Sequence, residues 1–156
     1  MDGQGRLTKV AGGPRADGDP LPNPPVDGTP AAEARFGFVA NLAVDPRSHD
    51  LYLNMLNLFR MTPDGVIRTV KEPNGQTLAV GYGGLAFDTG RGLLIHRDPF
   101  KQLTVSYLSP DGMRSPIPAA DGQIGREDTI VATSDSGIYI WNREGGKVRY
   151  LGPMEG

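Results

Sequence analysis

A tight turn recurs along this chain and limits what the chain can become. Thr62-Pro63-Asp64-Gly65 leads into the strand-like Val66-Ile67-Arg68-Thr69-Val70, and Ser109-Pro110-Asp111-Gly112 repeats the turn 47 residues later. In such a turn the proline presets φ and the glycine accepts a positive φ, so the chain reverses there. Glu144-Gly145-Gly146 before Lys147-Val148-Arg149-Tyr150-Leu151 is a third, weaker copy. Asp2-Gly3 before Arg6-Leu7-Thr8-Lys9-Val10 resembles the end of a fourth. Reversals at this regular spacing, separated by short runs of β-branched and aromatic residues, predict an all-β array of antiparallel meanders.

The repeat extends beyond the turn. Gly84-Leu85-Ala86-Phe87-Asp88 matches Asn41-Leu42-Ala43-Val44-Asp45 at an offset of 43 residues. The first unit reads as a short strand over 41–45 stopped by Pro46, a turn at Ser48-His49-Asp50 and a second strand Leu51-Tyr52-Leu53. A tight connection at Asn54-Met55-Leu56, a third strand Asn57-Leu58-Phe59-Arg60-Met61 and a fourth from Val66 to Val70 complete it. The second unit reads as strands over 84–88, 93–96 and 102–108, with a poor fourth over 113–118 that Pro116 and Pro118 confine to a sheet edge. The third is partial: 128–133 as its second strand, Ile138-Tyr139-Ile140-Trp141 as its third, 147–151 as its fourth, and Gln123-Ile124-Gly125 as the candidate for its first. Residues 6–11 read as one further strand, a fourth strand with no unit of its own.

Residues 12–35 form a long Gly/Pro-rich loop between units. Pro20, Pro22, Pro24 and Pro25 lack the backbone donor that a helix or central strand requires. Within it Thr29-Pro30-Ala31-Ala32-Glu33-Ala34-Arg35 predicts a helical turn or two, with Thr29 as N-cap and Pro30 at the first helical position. Phe36 and Phe38 are expected to anchor the loop.

These elements resemble the blades of the NHL-repeat β-propeller family, its bacterial and teneurin-like members in particular. The likeness rests on Leu42-Ala43-Val44-Asp45-Pro46, Leu51-Tyr52-Leu53, Thr62-Pro63-Asp64-Gly65, Val10-Ala11-Gly12-Gly13 and the loop over 27–36. It is fullest over 6–70, partial over 84–112 and thin after 113. It implies one partial propeller domain over 1–156, a β-propeller-type array of four-stranded antiparallel meanders with about three blades. Two segments depart from the family's pattern: the short Asn54-Met55-Leu56, and His96-Arg97-Asp98-Pro99-Phe100-Lys101 between the second and third strands of the second unit. Propeller rings close with about four to eight blades. The chain is then a piece of a larger propeller, a part-ring completed by self-association with another copy, or an open array with exposed edges.

Composition narrows the partners. The formal charge is -2 with both signs interspersed, which offers no basic face to nucleic acid or anionic lipid. No apolar run approaches the roughly 18 residues of a membrane span. Cysteine is absent, so neither disulfides nor thiolate chemistry arise. The N-terminus carries no signal pattern, which places the chain as written in the cytoplasm; as a fragment of a longer secreted protein it would be extracellular.

Catalytic chemistry finds little footing. His49 and His96 are the two histidines, and no carboxylate spacing makes either a zinc ligand set. Asp45 and Asp88 are expected to accept backbone donors in the turns that follow them. Asp17-Gly18-Asp19 and Asp27-Gly28 are too sparse for a calcium loop. No serine sits in a Gly-x-Ser-x-Gly elbow. Gly81-Tyr82-Gly83-Gly84 lacks the lysine and strand-to-helix context of a phosphate loop, and reads as an inter-blade turn. No catalytic, cofactor-binding or metal residue is therefore assigned, and no cofactor is expected. Tyr139, Trp141 and Tyr150 are expected to pack between blades, the alternative being an exposed aromatic face for a sugar or peptide. The expected function is a non-catalytic module holding a protein or glycan partner on its rim, with Asn54, Tyr82, His96, Arg97, Asp98 and Phe100 as rim candidates. The rivals are a propeller lyase or hydrolase with a metal in the central channel, and a truncated fragment of a larger NHL-repeat protein.

Overall fold

The computed structural model describes residues 4–5, 8–14, 24–81, 83–97, 104–109, 111–117, 128–132, 137–142 and 145–152, with backbone alone for 94–97, 129, 131 and 132. The described chain is all-β. Its strands are β1 (Asn41–Val44), β2 (Leu51–Met61), β3 (Ile67–Thr69) and β4 (Ala79–Gly81), then β5 (Leu85–Asp88), β6 (Gly92–Arg97), β7 (Thr104–Leu108) and β8 (Arg114–Pro116), and last β9 (Asp128–Ala132), β10 (Ile138–Asn142) and β11 (Lys147–Leu151). They form separate antiparallel sheets: β1 to β4, β5-β6-β7-β8, and β9-β10-β11. The sheets do not close on one another. No helix among the described residues is long and apolar enough to cross a membrane.

The second sheet is the four-stranded meander that its turn spacing predicts. The reversal after β7 closes with hydrogen bonds from the Gly112 amide to the Ser109 carbonyl (3.0 Å) and from the Ser109 amide to the Met113 carbonyl (2.9 Å). β8 is three residues long, exposed and at the sheet edge, as its proline requires.

The first sheet departs from expectation. Asn54-Met55-Leu56 is not a connection: β2 runs unbroken for 11 residues through it. The segment contains no Gly or Pro, and Asn54 uses its side chain to hold a bend instead. Its Oδ1 accepts the Leu56 amide (3.0 Å), Leu56 adopts a φ of 70°, and the register shifts between Leu56 and Asn57. Such a bulge redirects a strand without reversing it. β1 pairs with the first half of β2, β3 with the last residues and β4 with the middle. β4 comes back through the reversal at Pro73-Asn74-Gly75, closed by the Gly75 amide on the Glu72 carbonyl (2.8 Å).

Two further expectations are corrected. Of the strand expected over 6–11, residues 6–7 lie outside the described residues and 8–11 are not a strand: Thr8 and Val10 suit a pleated surface, but propensity without ladder pairing does not make a strand. The chain instead docks on the 30–34 turn, with the Gly12 amide on the Ala31 carbonyl (2.9 Å) and the Gly13 amide on the Ala34 carbonyl (2.6 Å). The third unit is also shifted by one strand. β9 lies beside β5 as β5 lies beside β1, and a Cβ on Gly84 would stand 3.1 Å from Ile130. β9, β10 and β11 therefore occupy the first, second and third positions of a unit. Residues 123–125, the expected first strand, lie outside the described residues.

Residues 29–35 form one turn, with the Ala34 amide on the Pro30 carbonyl (3.0 Å). Thr29 does not cap it; its hydroxyl donates back to the Val26 carbonyl (2.7 Å). Phe36 packs on the core, whereas Phe38 is exposed.

The apolar layers alternate with the sheets. Ala31, Ala34 and Phe36 of the long loop cover Leu53, Met55, Phe59 and Ile67 on the outer face of the first sheet. Ala43, Tyr52, Leu58, Leu78 and Val80 on its inner face meet Leu85, Leu93 and Leu108 of the second. Ala86, Val105, Tyr107 and Ile117 on the far face of the second meet Ile130, Ile138 and Ile140 of the third. Each fully buried Leu, Ile or Val of these layers stabilises the stack by about 1.5–3 kcal/mol. The stack is thus covered at its first sheet by the chain's own loop.

Candidate functional site

Of the six expected rim residues, Asn54 alone has a described side chain, and it lies in the interior. Asn54 is completely buried. Its Nδ2 donates to the Gly83 carbonyl (2.7 Å) and its Oδ1 accepts the Leu56 amide, so both ends of the amide are spent on backbone. It is a strut between the first sheet and the connection into β5, not a ligand contact. The backbones of His96 and Arg97 lie in β6 opposite Val105 and Thr104. Tyr82, Asp98 and Phe100 lie outside the described residues. Among the described residues no three His, Asp or Glu side chains come together.

The repeat aspartates organise turns, as expected. Asp45 Oδ1 accepts the Arg47 amide (2.8 Å). Burial pulls its pKa upward, but the Arg47 and Ser48 hydrogen bonds and the Arg47 charge outweigh that and hold the carboxyl below the usual range. Asp88 Oδ1 accepts the Gly90 and Arg91 amides (2.7 and 3.0 Å), and its Oδ2 accepts the Tyr107 hydroxyl (3.4 Å). Burial, with the Asp88 charge beside it, pushes the Tyr107 phenol up. In the third sheet Asp128 binds Asn142 Nδ2 (2.7 Å) and Arg149 (2.9 Å). His49 is an exposed turn residue with φ 61°.

A cleft of about 170 Å³ opens where β2 and β3 meet the turn after β7, lined by Tyr52, Arg60, Arg68, Lys71, Ser109 and Asp111. Much of its charge is already engaged. Arg60 pairs with Asp50 at 3.5 Å, Arg68 with Asp27 at 3.9 Å, and the Ser109 hydroxyl binds the Asp111 carboxylate. The cleft is a polar seam between two sheets, with Arg60, Arg68 and Lys71 against Asp111 in its lining.

The feature that stands apart is the outer face of the third sheet. Alternation sends Ile138 and Ile140 into the core and puts Tyr139 and Trp141 on the opposite face. The antiparallel register sets Tyr139 against Tyr150 and Trp141 against Val148. The two tyrosine rings lie 4.8 Å apart at 41°, a tilted contact favourable to aromatic quadrupoles. A Cβ on Gly137 would overlap the Tyr150 ring, so the glycine clears the surface on which that ring rests. Yet the group is not covered: Tyr139 and Trp141 are 44% exposed, Tyr150 45% and Val148 67%. Core packing between blades, the expectation for the three aromatics, is thereby corrected. The alternation was legible, but both faces of β10 are apolar, and nothing local tells which is buried. None of the four side chains carries a charge. The arrangement offers an apolar aromatic surface of the kind that stacks on a sugar ring or receives an apolar protein surface.

Comparison with protein-family models and with curated proteins returns no match to this sequence.

Proposed function

We propose that this chain is a non-catalytic interaction module, a short array of β-propeller blades of the NHL kind, and that it holds a protein or glycan partner on the outer face of its third sheet. The Pro-Asp-Gly reversals, the 43-residue offset and the stacking of successive meanders support the propeller-type reading. One observation carries the functional reading: three aromatic rings, each a little under half exposed, lie beside an exposed valine on one sheet face, none of the four charged. Contiguous apolar patches on the surface of a soluble protein are often binding sites.

Trp141 is the single tryptophan, so its fluorescence reports on this face alone. Titration with a panel of neutral oligosaccharides and apolar peptides is expected to shift its emission for the class that binds, and Tyr139→Ser is expected to abolish the shift. A ligand that binds equally well to Tyr139→Ser and leaves Trp141 emission unchanged places the site elsewhere and refutes the proposal.

A further inference from the structure

The cleft between the first two sheets is built around a like-charged pair. Arg60 of β2 and Arg68 of β3 stand directly opposite one another in the antiparallel register, and both line the cleft. Alternation fixes their direction. Leu58, two residues before Arg60, and Val70, two residues after Arg68, pack into the layer between the first and second sheets, so both guanidinium groups leave that same face just beyond the layer. Directly opposed residues hold their Cβ atoms about 4.5–5.5 Å apart, and like charges so placed oppose the pairing. We infer that the cleft binds the carboxylate of an acidic side chain on a peptide partner, one carboxylate oxygen for each arginine. This site is separate from the aromatic face of the third sheet and does not rest on it.

The protein's own carboxylates leave the pair incompletely satisfied. Arg60 meets Asp50 at 3.5 Å and Arg68 meets Asp27 at 3.9 Å, both longer than the about 2.7–2.9 Å of a charge-assisted hydrogen bond. Neither aspartate lines the cleft, and a guanidinium has donors to spare. Asp111 does not fill the gap. The Ser109 hydroxyl and backbone amides hold its carboxyl below the usual range, with no arginine contributing.

Tyr52 adds a buried donor. It lines the cleft and is only 7% exposed. Arg60 donates to its oxygen, and burial pushes its pKa up, so the phenol stays protonated. Among the described residues no acceptor binds its proton. A buried hydroxyl calls for such an acceptor, and a carboxylate seated between the arginines supplies it.

Size and charge select the ligand. At about 170 Å³ the cleft is smaller than the roughly 300–1,000 Å³ of sites that enclose a small molecule. It admits one side chain of a partner that rests outside. The planar guanidinium fork matches a planar carboxylate. Asp27, Asp50 and Asp111 lie around the pair and oppose a second negative charge, which disfavours a phosphate. A peptide also brings backbone N–H groups for Asp111 to accept.

A blocked glycine-rich pentapeptide with one central glutamate, titrated at low ionic strength and followed by NMR, tests the inference. The expected result is a saturable shift of the Arg60 and Arg68 side-chain N–H signals with Trp141 emission unchanged. Glutamine in place of the glutamate should weaken binding by about tenfold, and so should Arg68→Gln, whose side chain is half exposed. Asp27→Asn keeps the acceptor for the Thr69 amide (2.6 Å) and removes the competing charge. It should tighten binding by about threefold, a gain that damage to the fold does not mimic. Glutamate and glutamine peptides that bind alike overturn the site, as does a shift that fails to saturate by about 10 mM. So does an Arg68→Gln chain that binds like the parent. Tighter binding of the phosphoserine peptide overturns the carboxylate, and binding of free glucuronate where the peptide fails overturns the peptide partner. A shift of Trp141 emission with the arginine signals unmoved puts the peptide on the third sheet, which overturns the cleft and leaves the aromatic-face reading standing.

Discussion

Replacing Asn54 by alanine should be the most damaging single change in the first two sheets. The side chain is 0% exposed and makes two hydrogen bonds to backbone, one to the Gly83 carbonyl at 2.7 Å and one from the Leu56 amide at 3.0 Å. Alanine cannot replace either. Each orphaned buried backbone group costs about 1–3 kcal/mol. The two together should cost roughly 2–5 kcal/mol, which for a chain of this size lowers Tm by about 5–15 °C. The effect is concentrated because the same amide does two jobs: it closes the bend that lets β2 run on as one strand, and it ties that bend to the connection into β5. Equilibrium urea unfolding measures it directly. Asn54→Asp separates the two contributions. It keeps the acceptor for Leu56 but turns a carboxylate oxygen toward the Gly83 carbonyl, so it should be as damaging at neutral pH. It should recover in part as the pH falls and the new carboxyl, its pKa raised by that carbonyl, takes up a proton and can donate. A loss below about 0.5 kcal/mol for Asn54→Ala would refute the strut assignment and return Asn54 to the surface role expected of it from sequence.

Other substitutions test separate parts of the account. Leu56→Gly should be neutral or stabilising by about 0.5–1 kcal/mol, since a non-glycine residue at φ 70° is strained and its side chain is half exposed; a clear loss in thermal unfolding would show that the bend is not strained there. Gly112→Ala should cost about 2–4 kcal/mol, because its Cβ would stand 2.7 Å from the Lys71 carbonyl at φ 84°, whereas Gly65→Ala at φ 77° has open space and should cost only about 1 kcal/mol. Equal losses in urea unfolding would contradict the close approach of the second turn to the first sheet. Asp45→Asn should be less stable than the parent at neutral pH, with the gap closing in acid. The carboxyl's pKa is lowered in the folded state, so its contribution is present above the unfolded value and lost as pH falls through the folded one. A gap that stays constant from about pH 6 to pH 2 would sink that reading.

The parts of the fold that could be read from residues are those whose chemistry is local. Pro-Asp-Gly reverses a chain wherever it occurs, so the second sheet and the edge position of β8 followed from the turn and the prolines alone. Asp45 and Asp88 likewise act on amides two or three residues away. What escaped was decided at a distance. Residues 8–11 have strand-forming side chains, yet strand formation depends on an edge elsewhere in the chain. Asn54 carried the turn signal of an asparagine, and only its burial against Gly83 turns it into a strut. The third sheet's position could have been found: a second step of 43 residues from Leu42 through Leu85 lands on Asp128, the first residue of β9. The open aromatic face could not. Ile138 and Ile140 alternate with Tyr139 and Trp141, both sets apolar, and the choice of buried face is made by Ala86, Val105 and Tyr107 on the neighbouring sheet.

The central claim is that the third sheet carries a partly open aromatic surface, and the accessibility of Trp141 in dilute solution measures that most directly. The account predicts a red-shifted emission quenched efficiently by acrylamide at low micromolar protein. A blue-shifted emission that acrylamide does not reach, at the same dilution, would mean that the face is already covered within a single chain and would contradict it.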